Sequence, residues 1–222
     1  MNRRRFAMLT LAVATIGGSS VSLAASPPAN WDGLTLVKSA KFRYVYLLPG
    51  ANFRPYAKVM LDPTEIAFKK NWARDYNNTK RSLSSRITDA DVENAVQEGG
   101  KVATEIFSQA FSAGGFPVVT TPGDDVIRMR TAVVNLDVTA PDKMTSGRSR
   151  TYAGEAGTAT LVIEARDSVS NALLARVIDP QVAGDSGFMM SRSSVMNRGD
   201  FRELAQRWAK STVSGLQQLK AR

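Results

Sequence analysis

Residues 56–72 read YAKVMLDPTEIAFKKNW, and this stretch decides what kind of fold the chain can adopt. Val59 and Leu61 alternate with Lys58, Met60 and Asp62; Pro63 interrupts; Ile66 and Phe68 then resume the alternation against Glu65, Ala67 and Lys69. Successive strand residues point to opposite faces, so the pattern predicts a strand, a break and a second strand, each needing a partner layer for its apolar face. Asp62-Pro63 reads as backbone punctuation within a sheet.

Outward from this stretch, residues 43–48 (RYVYLL) form the first strand on the N-terminal side, closed by the turn dipeptide Pro49-Gly50. Residues 25–42 hold Pro27-Pro28 and one large aromatic, Trp31, and read as an irregular lead-in. On the C-terminal side, Thr88 with Asp91 three residues on is a variant capping box. It opens a helix whose Val92, Val96, Ala103, Ile106, Phe107 and Phe111 share one face, ending at Gly114-Gly115. Gly99-Gly100 within it predicts a kink or the close approach of another element.

Phe116-Pro117-Val118-Val119 reads as an edge strand, because proline cannot donate to a ladder. Residues 126–138 are a long strand whose apolar phase shifts, which predicts a bulge or two-sided burial near Thr131 to Val133. A loop follows over residues 139–157. Alternation at Ala159, Leu161, Ile163 and Ala165, the turn 167–171 and the run 173–178 predict a hairpin. A second loop spans 180–194, and Asn197 is placed as the cap of a last helix carrying Phe201, Leu204, Ala205, Trp208, Leu216 and Leu219. The expected fold is α+β: an antiparallel or mixed sheet of about five or six strands with two main helices packed on one face, a two-layer sandwich.

Residues 1–24 join Arg3-Arg4-Arg5 to an apolar run and a small-residue exit, which is the pattern of an export signal cut after Ala24. The arginines also half-match a twin-arginine signal. Of 29 basic and 20 acidic residues, the signal holds three arginines and no acid, so residues 25–222 keep 26 against 20, a formal +6. They are expected to form a single domain in the periplasm, with no transmembrane segment after cleavage.

The chain has no cysteine and no histidine. Thiolate and imidazole metal sites, and the usual nucleophile–base pairs, are therefore impossible, and nothing in the sequence asks for a cofactor. Carboxylate chemistry, Ser–Lys chemistry and an oxygen-ligand cation site survive: Asp62, Glu65, Asp137, Glu164, Asp167 and Asp179 are the acids from which a pair could be drawn, although acids at strand ends commonly form turns and ion pairs. Met189, Met190 and Met196 share a predicted loop, where thioethers could meet Cu(I) or simply fill a groove.

The remaining binding signal is residues 69–86, with six basic side chains, one acid and interleaved aromatics. Lys69, Lys70, Trp72, Arg74, Tyr76, Lys80 and Arg81 are the candidate contacts for an anionic envelope surface or an envelope protein; nucleic acid is not expected. The competing reading is a solvated loop with an aromatic tucked inward.

The Leu-Pro-Gly-Ala turn at Leu48 to Ala51, the motif YAKVMLDP ending at Pro63, and the Arg166-Asp167-Ser168 turn together resemble the bacterial family called domain of unknown function 3313. The likeness spans about residues 31–219, and residues 58–63 are its most specific part. It implies a small exported cell-envelope protein, lipoprotein-like in many members, with no catalytic residues to carry over. This chain has Ala24 and Ala25 where a lipid-anchoring cysteine would be needed. The function expected is thus a non-enzymatic periplasmic binding or assembly factor; the alternatives are a carboxylate-based hydrolase of envelope polymers and a small-ligand binding protein.

Overall fold

The computed structural model describes residues 27–79, 85–139, 151–153, 155–184, 190–192 and 194–222. Residues 1–24, Lys80, Arg81 and Met189 lie outside them. The expected α+β architecture holds, but its sheet is larger than the sequence suggests. Among the described residues it has nine strands, with three helices in place of two.

Two strands come from a segment read as irregular. The lead-in is a hairpin, β1 (Asn30–Trp31) and β2 (Leu34–Val37), joined by Asp32-Gly33. Both turn residues have positive φ (52° and 80°), as a two-residue hairpin matched to strand twist requires. Next comes β3 (Tyr44–Leu47). The opening stretch then supplies β4 (Lys58–Leu61) and β5 (Glu65–Phe68).

The helices α1 (Trp72–Asn78) and α2 (Asp89–Ala113) follow, then β6 (Val118–Val119) and β7 (Val126–Val138). The short strand β8 (Thr151–Ala153) precedes the long hairpin β9 (Gly157–Asp167) and β10 (Leu173–Ala183). The chain closes with β11 (Met190–Arg192) and α3 (Ser194–Lys220).

The sheet order is β1-β2-β3-β10-β9-β7-β4-β6, with β5 also on β7. β4 and β5 pair in parallel with successive lengths of the same strand: Lys58–Leu61 against Val126–Met129, then Glu65, Ile66 and Phe68 against Ala132, Val133 and Leu136. The predicted break is therefore real, and the two pieces form one interrupted strand along β7, with β6 paired outside β4. The bulge lies later than the sequence suggests. Register shifts between Val134 and Asp137, where Asn135 takes φ 53°. At 131–133 the strand is buried on both faces instead, the other of the two expected outcomes: Thr131 and Val133 keep the phase of Ile127 and Met129, and Ala132 between them is buried too. The predicted loops each contain a short strand, β8 and β11, paired as a separate two-stranded ribbon. Met190 thus sits in a strand and Met196 in a helix, so the methionines do not share one loop.

Both long helices cover the same face. Ile106, Phe107 and Phe111 of α2 and Leu204, Trp208, Val213 and Leu216 of α3 form one core with Val59, Ile127, Met129, Leu161 and Ile163. The capping box is complete, with Thr88 Oγ1 accepting from the Asp91 N–H and Asp91 accepting from the Thr88 N–H. Gly100 lets α2 approach the break in the edge: a Cβ there would stand 2.8 Å from the Thr64 carbonyl oxygen. Thr104 Oγ1 fixes that approach, accepting from the Thr64 N–H at 2.8 Å. The last helix starts at Ser194, so Asn197 lies in its first turn and is not its cap. Trp208 pins α3 to the sheet, its indole N–H donating to the buried Asp179 at 2.8 Å.

Candidate functional site

The basic segment after β5 is folded inward at its aromatic positions. Trp72 is buried and stacks on Phe68 at 4.3 Å, Tyr76 stacks on Trp72 at 6.1 Å, and the Trp72 indole donates to the Val138 carbonyl. Lys69 pairs with Asp137 at 2.9 Å, and the neighbouring carboxylate raises its pKa. Arg74 binds its neighbour Asp75 at 2.9 Å, and Lys70 is exposed. Asn77 exchanges two hydrogen bonds with the Ile87 backbone, clipping the end of α1 to the entry of α2. The structure therefore brings Lys69, Trp72 and Tyr76 together at the sheet edge, with the ring of Trp72 serving as packing rather than as a contact surface.

A different cluster, which the sequence reading did not single out, occupies the sheet face opposite the helices. Alternation in β7, β9 and β10 sends Ile127, Met129, Leu161 and Ile163 to the core and Arg128, Arg130, Glu164, Arg166 and Arg176 to the other side. Glu164 is buried and accepts from Arg176 at 2.8 Å through one carboxylate oxygen and from Arg166 at 2.9 Å through the other. Burial pushes the Glu164 carboxyl up, but the hydrogen bonds from Arg176 and then Arg166 outweigh it, so its pKa ends below the ordinary value. Burial pulls Arg176 down; Glu164 and Asp32 more than restore it. Asp32 closes the cluster at 2.7 Å from Arg176, whose guanidinium also lies over the Trp31 ring at 4.4 Å.

Beside it, Arg128 donates through Nε to both Asp62 oxygens at 3.0 Å, and Arg130 lies 3.6 Å from the same carboxylate. Asp62 is thus more than punctuation: together with Glu65, 3.8 Å from Arg130, it balances the two arginines that β7 places on the open face. The signal was present in the sequence as arginines at period two inside an apolar strand, Ile127-Arg128-Met129-Arg130.

The other candidate acids are also engaged. Asp167 accepts from the Tyr56 hydroxyl at 2.9 Å and from Ser170 in its own turn, and Asp179 accepts from Trp208, Gln181 and the Arg43 N–H. Burial, then the Asp167 hydrogen bond, pushes Tyr56 up to about 12. Next to the ion pairs, Tyr44, Ile178 and Val162 continue the same face as a half-buried apolar row ending on Ala132.

The profile of the family described as protein of unknown function, DUF3313, matches residues 24–212. This chain belongs to that family. No curated protein matches it. Among solved structures, the DUF3313 chain is similar to the PelC dodecamer from Paraburkholderia phytofirmans, at 13% identity and TM-score 0.37, covering 78% of this chain and 97% of that one. It is similar also to a Helicobacter pylori protein described as a neuraminyllactose-binding hemagglutinin homolog, at 10% identity and TM-score 0.35, covering 74% and 88%. Likenesses with TM-scores below 0.5 assign this DUF3313 protein neither partner nor activity.

Proposed function

We propose that this DUF3313 protein is a non-enzymatic binding or assembly factor of the cell envelope, exported to the periplasm by its N-terminal signal. The observation that carries the reading is the open sheet face: a charge-balanced arginine–carboxylate array beside an apolar row of Tyr44, Ile178 and Val162. Carboxylates held by two guanidinium groups are poor general bases, because the cations that stabilise them lower their basicity. A face with its charges already matched and apolar side chains half exposed suits contact with a protein surface of similar polarity.

Photo-crosslinking in living cells tests this. A benzophenone amino acid at Tyr44 or Val162 should give a discrete adduct, whereas the same group at Gln109 on the outer side of α2 should not. Absence of adducts at both face positions, or equal adducts at Gln109, would reject the face as a contact. Changing Lys69, Lys70, Lys80 and Arg81 to Glu in the same strain measures what the basic segment adds; unchanged adducts remove it from the interface. Sequencing the N-terminus of protein released by osmotic shock tests export and cleavage after Ala24.

A further inference from the structure

The outer edge of the sheet is closed in two places and open in a third. Beside β4 it is closed by β6, with Val59 against Val118 and Met60 against Val119. At the break, the Thr64 N–H turns outward and donates to Thr104 of α2 at 2.8 Å. Beyond Thr64 the closure stops. The Lys69 N–H donates to the Leu136 carbonyl at 3.0 Å, and alternate residues of a strand turn their backbone groups the same way. Glu65 and Ala67 therefore face β7, while Ile66 and Phe68 turn N–H and C=O away from it. Among the described residues β5 pairs with β7 alone.

A groove of about 890 Å³ runs along this edge, between β5 and α2. Half-buried Ile66, Val96 and Gly100 form its floor, and exposed Gln97, Lys101 and Glu105 its rim on the helix. Backbone donors and acceptors spaced along an edge call for the same groups in register, which an extended polypeptide carries and a lipid chain does not. We propose that the outer edge of β5 takes up an extended segment of a partner polypeptide as an added strand, in line with β6. Side chains of such a strand alternate between faces, so one set enters the groove beside Ile66 and the other stands on the open face beside Glu65. The partner segment therefore alternates apolar with basic residues, the basic ones next to the exposed Glu65 carboxylate. The edge and the row of Tyr44, Ile178 and Val162 are different surfaces, so either reading can fail without the other.

The test is fluorescence anisotropy of the purified protein with a labelled, end-capped heptapeptide of alternating valine and lysine, which should bind saturably. Two N-methylated isomers decide the mode of binding: methyl groups on the valine amides block one edge of the extended peptide, and on the lysine amides the other. One isomer should lose about tenfold in affinity while the other binds as the parent does. Which isomer loses reports whether the added strand runs antiparallel or parallel to β5. Lys101→Trp fills the groove from an exposed helix position and should abolish binding, with circular dichroism showing that the variant is folded.

Several outcomes would overturn the proposal: no saturable binding of the parent peptide, equal binding or equal loss with the two N-methylated isomers, or binding retained in folded Lys101→Trp. A dimer that Lys101→Trp converts to monomer, with no peptide bound, would overturn it too and assign the edge to a second copy of this chain.

Discussion

The two faces of one sheet hold together by different physics. On the helix side, Ile127, Met129, Leu161 and Ile163 are at most 3% exposed and gain stability from apolar area removed from water. One residue along each strand, the other face carries Arg128, Arg130, Glu164 and Arg166, where stability depends on each charge finding its opposite. A core of many small contacts tolerates a loss in proportion to the volume removed. A buried ion cluster does not, because deleting one member leaves the others charged, desolvated and unmatched. Asp179 is the exception on the covered face, and it too is kept by full hydrogen bonding, to Trp208, Gln181 and Arg43.

Four substitutions sharpen that contrast. Phe107→Ala, at a fully buried position, should cost about 4 kcal/mol in urea unfolding. Glu164→Gln removes a carboxylate but almost no volume, and should still cost about 3 kcal/mol, because Arg166 and Arg176 lose their shared partner. A cost below that of Gly100→Ala would mean that the open-face cluster is not tightly coupled.

The same substitution has a pH signature. The Glu164 carboxyl sits below its ordinary 4.5 in the folded protein, so the folded state binds its proton less readily than the unfolded chain does. Its contribution is present above pH 4.5 and is lost as pH falls through the depressed folded value. Thermal melts from pH 7 downward should therefore show a shallower acid limb for Glu164→Gln than for the unaltered protein; parallel limbs would contradict the ion-pair account.

Gly100→Ala should cost about 2 kcal/mol by urea unfolding, because the new methyl group meets the Thr64 carbonyl, which β5 and Thr104 hold in place. Lys69→Ala should cost no more than about 0.5 kcal/mol, since its pair with Asp137 is exposed and screened by solvent. A larger loss would show that the basic segment is tied to the sheet more firmly than that one ion pair implies.

Local patterns were legible where one element carried its own signal. The capping box at Thr88 and Asp91, the break at Asp62-Pro63 and the hairpin around residues 167–171 all stand where the sequence places them. The hairpin at Asp32-Gly33 was hidden because two- and four-residue strands have too few alternations to show a period. Trp72 could not be read as buried or exposed from its basic neighbours, because its exposure depends on Phe68, the Val138 carbonyl and Tyr76 arriving from three elements.

By itself, then, the sequence determined the α+β class, the family, the absence of imidazole and thiol chemistry, and which residues alternate in each strand. These follow from composition and from periods of two and 3.6 residues, which are local properties of the backbone. Only the tertiary structure decided that β4 and β5 share one partner strand, that Asp62 serves Arg128 and Arg130, and that Glu164 joins Arg166 to Arg176. Register between distant strands sets those contacts, and register is a property of the assembled sheet rather than of any stretch within it.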